Sequence, residues 1–262
     1  MVVAVVAVVA VVDVVAAVRS VATYVAVSLY VVVTGLVGML LATVFGWTDV
    51  LYIFGHGGVR LAAALSGIKY RVAGTENLPR DRAAVYCCNH QSNVDPPILY
   101  TALHPRLHIL YKHEIDRIPV LARAFRMGGF IPIDRSKRES AMRSIEAGAR
   151  SLQAGNSFLI FPEGTRSKTD EMLPFKKGGF IMAIKAGAPI VPVAIQGGRR
   201  AMRRGSRIIR PVTVSIRVGA PIETSGLDLD DRDMLILRVR EAIARLLTEG
   251  AIGDANYHRS RM

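Results

Sequence analysis

Near residue 67 the hydrophobic pattern of the chain changes character. From 20 to 47 no residue is charged, and Val, Leu, Ala, Tyr and Gly make up most of the stretch. At about 1.5 Å per residue a helix of that length exceeds the roughly 30 Å hydrocarbon core of a bilayer. A membrane helix is therefore expected, with a buried core helix or an interfacial hairpin turning at Gly35 or Gly38 as the alternatives. Residues 2–18 are a Val/Ala run broken by Asp13, without a basic leader or a small-residue cleavage site; the pattern leaves open whether this run spans, lies on the surface or frays. Residues 50–65, which include Gly55, Gly57 and Gly58, read as a second, interfacial helix.

From residue 68 short apolar runs bounded by turn residues predict strands at 68–72, 83–88, 107–111, 130–133, 158–161, 190–195 and 212–218. Helical spacing falls between them, at 97–102, 115–126, 139–152 and 179–186. A last helix runs through Met234, Leu235, Val239, Ile243 and Leu246, with Asp230 or Asp231 as its cap. Strands alternating with helices predict an α/β fold: a mixed, mostly parallel sheet flanked by helices, preceded by an N-terminal membrane helix or helical hairpin. The chain is expected to divide into a membrane-anchoring arm, 1–66, and a globular domain, 67–262. In this class ligands bind at the carboxyl ends of the strands.

Charge sharpens that division. Over 262 residues, 34 Lys and Arg face 21 Asp and Glu, a net charge of +13. Up to residue 66 the only charges are Asp13, Arg19, Asp49 and Arg60, which cancel, so the whole excess lies on the second part. A basic domain suits anionic partners, and its excess of Lys and Arg places it on the cytoplasmic face of a membrane. The two cysteines, Cys87 and Cys88, are adjacent. They exclude a disulfide-stapled scaffold and a CxxC zinc site, and favour a reducing compartment.

Two predicted strand ends carry unusual chemistry. The first reads Cys88-Asn89-His90-Gln91-Ser92-Asn93-Val94-Asp95-Pro96-Pro97. On one continuous helix His90 and Asp95 would lie about 140° apart; they converge only if the chain turns between them, with a helix starting at Asp95-Pro96. An imidazole held by a carboxylate is a general base; a capping Asp beside a loop His is the alternative on spacing alone. The second is Phe161-Pro162-Glu163-Gly164-Thr165-Arg166-Ser167. There Gly164 allows close backbone approach, Thr165 offers a hydroxyl and Arg166 matches phosphate, while an ordinary turn with a Glu–Arg pair is the competing reading. A third strand ends in Asp134-Arg135, again an Arg able to meet phosphate or simply a surface pair.

Taken together, these segments resemble the conserved motifs of the glycerolipid acyltransferases. Residues 89–95 resemble their HxxxxD motif, 129–135 look like the second motif, 161–167 nearly match FPEGTRS, and Ile190-Val191-Pro192-Val193 resembles the fourth. The resemblance covers roughly 68–220 and is closest to the 1-acyl-sn-glycerol-3-phosphate acyltransferases. It implies a membrane-attached α/β domain that moves a fatty acyl chain from acyl-CoA or acyl carrier protein to the free hydroxyl of lysophosphatidic acid, giving phosphatidic acid. It implies His90 as base, Asp95 as its partner, and Arg135, Glu163, Gly164, Thr165 and Arg166 around the acceptor. Another lysophospholipid or glycerolipid acceptor is the alternative.

The chemistry fits these expectations. Ester formation from a thioester needs a base, a cationic cradle and room for an acyl tail, and no metal or other cofactor is expected. No Ser lies in a GxSxG elbow, so direct attack by the acceptor is expected over an acyl-enzyme, with Cys88 as the minor candidate nucleophile. Lys112 and Lys176 are further candidates for the acceptor pocket, each with a solvated surface role as alternative. The basic run at Arg199, Arg200, Arg203, Arg204, Arg207 and Arg210 reads as a solvated face, or as a contact for anionic lipid or acyl carrier protein. Nucleic acid is not an expected partner, because the chain shows no aromatic-rich basic surface.

Overall fold

A computed structural model describes residues 2–134, 136–169 and 171–253, and for residues 2–12 the backbone alone. Helix α1 (Val2–Phe45) takes in the Val/Ala run and passes through Gly35 and Gly38 without turning. The reversal comes at Gly46, whose φ of 71° suits a residue without a Cβ. Helix α2 (Asp49–Ser66) then runs back along α1 and ends at Gly67 in the left-handed region. Both Gly35 and Gly38 serve packing instead: a Cβ at Gly38 would press on Leu51 and Phe54, and one at Gly35 on Val120.

Seven strands follow: β1 (Lys69–Ala73), β2 (Val85–Cys88), β3 (Leu107–Lys112), β4 (Ile131–Ile133), β5 (Ser157–Ile160), β6 (Ile190–Gln196) and β7 (Thr213–Val218). They form one sheet in the order β1-β7-β6-β2-β5-β3-β4. The five strands from β6 to β4 are parallel, β7 is antiparallel to β6, and β1 is parallel to β7. The sheet is therefore mixed and mostly parallel, as the alternating pattern predicts.

The period-2 alternation of the strands divides the core in two. Tyr86, Cys88, Leu159, Val191, Val193 and Ile195 meet α3 (Asp95–Leu103) on one face. Val85, Cys87, Phe158, Ile160 and Ile190 meet α5 (Arg138–Gln153), α6 (Gly178–Ala186) and α8 (Arg232–Thr248) on the other. The helix expected at 115–126 is instead a 3-10 turn, His113–Arg117, followed by α4 (Pro119–Met127). Pro119 is the reason: it lacks an N–H and restrains Ile118 to extended backbone, so it can open a helix but not continue one. A short helix, α7 (Gly198–Ala201), lies in the connection from β6 to β7.

The arm is bonded to the α/β body. Arg19 donates through Nε and Nη2 to Leu65 O at the end of α2 (3.2 and 3.1 Å), where a cation also complements the helix dipole. Ser20 Oγ accepts from Ile209 N (2.8 Å), Tyr24 Oη donates to Arg207 O (2.9 Å), and Arg210 pairs with Asp13 (2.9 Å). From α2, Tyr52 enters the core beside Tyr100, His108 and Phe130 and donates to Gly128 O at 2.5 Å. The outer face of α1 presents Val18, Val21, Val25, Leu29, Leu36 and Leu40 to the surroundings as one stripe. The segment Asp13–Phe45 is long and apolar enough to cross a membrane by length and composition.

Tyr52→Phe keeps the ring and leaves the Gly128 carbonyl without this donor. It is expected to lower stability by about 1–2 kcal/mol, read from the denaturant midpoint of the detergent-solubilised protein. An unchanged midpoint would mean that α2 is not held to the body through this hydroxyl.

Candidate active site

Parallel pairing of β2, β5, β3 and β4 brings the chemistry-bearing segments to one edge of the sheet. His90 follows β2, residues 161–166 follow β5, Lys112 ends β3, and Asp134 follows β4. Arg135, one residue further, lies outside the described residues.

The turn from β2 into α3 is built around one carboxylate. Asp95 is completely buried and is the first residue of α3, with Pro96 and Pro97 in the opening turn. It does not cap α3 through its side chain; Val94 is the cap residue. Asp95 Oδ2 instead reaches back, accepting from Gln91 N (2.7 Å) and Ser92 N (2.6 Å) and meeting His90 Nδ1 at 3.0 Å. An oxygen that already receives two backbone N–H groups acts as an acceptor, so in this contact Nδ1 is the donor and Nε2 is the ring nitrogen left outside it. The His90 ring stacks on Phe161, with centroids 4.2 Å apart. Its backbone is gripped on both sides, N–H by Glu163 Oε1 (2.7 Å) and C=O by Ser167 N (2.9 Å).

Glu163 has a different place from the one expected for it. Its side chain is buried, Oε1 is taken by His90 N and Oε2 by Leu173 N (2.8 Å). It ties the turn after β5 to the turn after β2 and does not pair with Arg166. Burial pushes its carboxyl above the usual Glu range, opposed by the two backbone donors and the nearby His90. A carboxyl raised in the folded state contributes stability that is fully present below its ordinary pKa and lost as the pH rises through the raised one.

Gly164 has φ of 73° and donates its N–H to Phe161 O. Thr165 is exposed and Arg166 half-buried, and the guanidinium of Arg166 has no hydrogen-bond partner among the described residues. Lys112 is exposed and pairs with Glu114 at 2.5 Å. Lys176 is exposed too, while its N–H closes onto Pro162 O at 2.6 Å. Cys88 is fully buried and burial pushes its thiol well up, which suits a packing residue and not a nucleophile. His108 is buried among Tyr52, Phe130 and Phe158, with its pKa lowered by burial to about 4. Among the described residues no cluster of His, Cys, Asp and Glu could hold a metal ion.

Two supports escaped the sequence reading. Asn89 accepts from Ile195 N (2.8 Å) and donates to Ile195 O (3.0 Å), so its amide continues the β2–β6 pairing beyond the strand and fixes where His90 leaves the sheet. Gly198, opening α7, lies against Asp95, and a Cβ there would overlap Asp95 Oδ1. An amide following a strand end is a signal for the first; the second arises from contact between segments a hundred residues apart and leaves no local trace.

Fold and site together define an acyltransferase: the acyltransferase family model matches residues 69–196, from β1 through β6, which include His90, Asp95 and the turn after β5. The 1-acyl-sn-glycerol-3-phosphate acyltransferase of Limnanthes douglasii is 30% identical over 207 residues, 78% of this chain and 73% of that protein. That of Cocos nucifera is 34% identical over 173 residues, 66% of this chain and 56% of that protein. The crystal structure of the 1-acyl-sn-glycerophosphate (LPA) acyltransferase PlsC from Thermotoga maritima has the same fold, with a TM-score of 0.78 at 23% identity over 91% of this chain and 98% of that one. The chain belongs to the 1-acyl-sn-glycerol-3-phosphate acyltransferase family.

Glu163→Gln replaces one acceptor oxygen by an NH2 facing a backbone donor. It is expected to lower kcat about tenfold or more with little change in KM for the acceptor, because it misplaces His90 rather than removing a substrate contact. The loss of stability with rising pH above the ordinary Glu range should also flatten, since the variant has no proton to lose there. A rise in acceptor KM at constant kcat would return Glu163 to the acceptor pocket.

Proposed function

We propose that the protein transfers a fatty acyl chain from a thioester to the free hydroxyl of 1-acyl-sn-glycerol 3-phosphate, giving phosphatidic acid, with the basic domain on the cytoplasmic side of a membrane. The observation that carries this reading is the His90 Nδ1 to Asp95 Oδ2 contact of 3.0 Å, which supports Nε2 in the role of base. In the proposed step Nε2 takes the proton of the acceptor hydroxyl as its oxygen attacks the thioester carbonyl. The new C–O bond forms, the C–S bond breaks, and the proton passes from the imidazolium to the departing thiolate. Asp95 stabilises the imidazolium while it exists.

The acceptor phosphate is assigned to Arg166 and Arg135, with Gly164 and Thr165 offering polar contacts and Lys112 and Lys176 at the rim. An arginine gives phosphate a two-pronged, charge-assisted match. Membrane attachment through residues 1–66 keeps the site beside acceptor and product, whose acyl chains reside in the bilayer. A domain from 67 onward carries the chemistry.

The reading is tested by incubating the full-length protein with lysophosphatidate and an acyl thioester and identifying the product by mass. His90→Ala is expected to lower turnover about 10²-fold or more with the fold intact; a folded variant with near-native turnover would sink the mechanism. Replacing Arg166 or Arg135 should raise the acceptor KM more than the donor KM, by about tenfold for one lost charge-assisted bond. Equal losses for both substrates would point to a structural arginine instead.

A further inference from the structure

The loop that follows the turn after β5 has no regular structure, so its backbone polar groups need partners from outside it. At 171–175 it lies against α8, whose buried stripe is Leu235, Val239 and Ile243. Met172 and Phe175 pack onto the same core. Arg240 stands one position after Val239, at the border of that stripe, and is half-buried. Its guanidinium donates through Nη1 to Leu173 O (2.6 Å) and through Nη2 to Met172 O (2.9 Å), and it lies over the Phe175 ring, 5.2 Å from the centroid. A planar fork can hold two successive carbonyls at once, a geometry that the point charge of a lysine lacks.

The segment gripped in this way is the one that holds Glu163. Leu173 is occupied from two directions: its C=O receives Arg240, and its N–H goes to Glu163 Oε2 (2.8 Å). Glu163 Oε1 in turn receives His90 N (2.7 Å). A second branch reaches the same histidine, because Glu171 O accepts from Ser167 Oγ (2.7 Å) and Ser167 N donates to His90 O (2.9 Å). Both backbone groups of His90 are thus tied to 171–173, and α8 grips that segment through Arg240. Another link between α8 and the loop, Lys177 with Asp233 at 3.4 Å, is exposed, and exposed pairs contribute little. The Arg240 charge also opposes the burial that pushes the Glu163 carboxyl up, and so favours the ionised form that accepts both N–H groups.

We infer that Arg240 is a positioning residue for His90, which it sets through Leu173 and Glu163 without touching substrate. Its effect on rate rests on the acyl-transfer reading. The inference extends the working site to α8, beyond the residues 69–196 that the acyltransferase family model matches. A reacting group is sensitive to placement, and a shift on the order of 1 Å costs about 10²-fold in rate. With 171–173 slack, Glu163 loses the fixed N–H that aims it at His90, while contacts made by substrate elsewhere stay in place.

The test compares Arg240→Ala, Arg240→Lys and, as a control, Asp233→Ala in the full-length protein in detergent. Arg240→Ala is expected to lower kcat about tenfold, with KM for lysophosphatidate and for the acyl thioester within about twofold of the parent. Arg240→Lys keeps the charge and loses the fork. It should fall between parent and Arg240→Ala, and it is read alone where Arg240→Ala does not fold. Asp233→Ala should match the parent. Combined with Glu163→Gln, Arg240→Ala should cost much less than the product of the two separate losses, because both act on one chain of bonds. The structural readout is the His90 amide proton in protein isotope-labelled at its six histidines, assigned by its loss in His90→Ala. It should move upfield in Arg240→Ala as the bond from His90 N to Glu163 lengthens. Parent-level kcat in the Arg240 variants, a raised KM at unchanged kcat, an equal loss in Asp233→Ala, losses that simply multiply or an unmoved His90 amide would each overturn the inference. A parent without acyl transfer would overturn the acyl-transfer reading alone, and the His90 amide would still decide whether Arg240 sets that residue.

Discussion

A single oxygen, Asp95 Oδ2, sets the geometry of the whole site. By accepting from Gln91 N, Ser92 N and His90 Nδ1 it bends the chain between β2 and α3 into one tight loop. A buried carboxylate is costly unless it is hydrogen-bonded; here the donors to Oδ2 are backbone groups of Gln91 and Ser92, in the loop that joins it to His90, while Oδ1 faces Gly198 without a hydrogen-bond partner among the described residues. The stabilisation of the charge and the placing of the imidazole are thus one event. Around it Glu163 performs the same service one layer out, binding the backbone of His90 and of Leu173, so the two motif turns are held together by carboxylates rather than by substrate.

Much of this order was readable from the residues because both parts have strong periodic signals. The seven strands lie where short apolar runs stand between turn residues, and buried parallel strands make such runs nearly continuous. The β7 reversal could not be read in this way, since direction depends on which neighbour a strand finds and not on its own composition. The helix expected at 115–126 failed at Pro119, a local signal outweighed in the reading by apolar spacing. In the arm, charge-free residues marked a helix correctly, but its length and its reversal at Gly46 were hidden. Gly35 and Gly38 looked like turn residues and are in fact points of close helix contact.

Within the site, residue type and spacing marked which segments meet better than they marked which way a side chain points. His90 and Asp95 meet as their spacing allowed once the chain turned. Glu163 shows the limit: a carboxylate in a polar, Gly-containing segment looks ligand-facing, yet the strand delivers it inward to two N–H groups. Its burial is a property of the fold around it. The arginines at 199–210 carry the same lesson, since a run that reads as a solvated face becomes a concavity only when α1 closes its other side.

The direction change between β6 and β7 has a mechanical consequence. The five parallel strands carry the reactive edge, whereas β1 and β7 run the other way and form the far margin of the sheet. The arm joins the sheet through Gly67 into β1, at that margin. Force that travels along the chain itself therefore loads first a pair of strands that carries none of the candidate site residues. Along the sheet three ladders, β1–β7, β7–β6 and β6–β2, stand between that tug and β2, whereas Tyr52 and Ser20 carry the rest of the arm's load straight into the core and the β6–β7 connection.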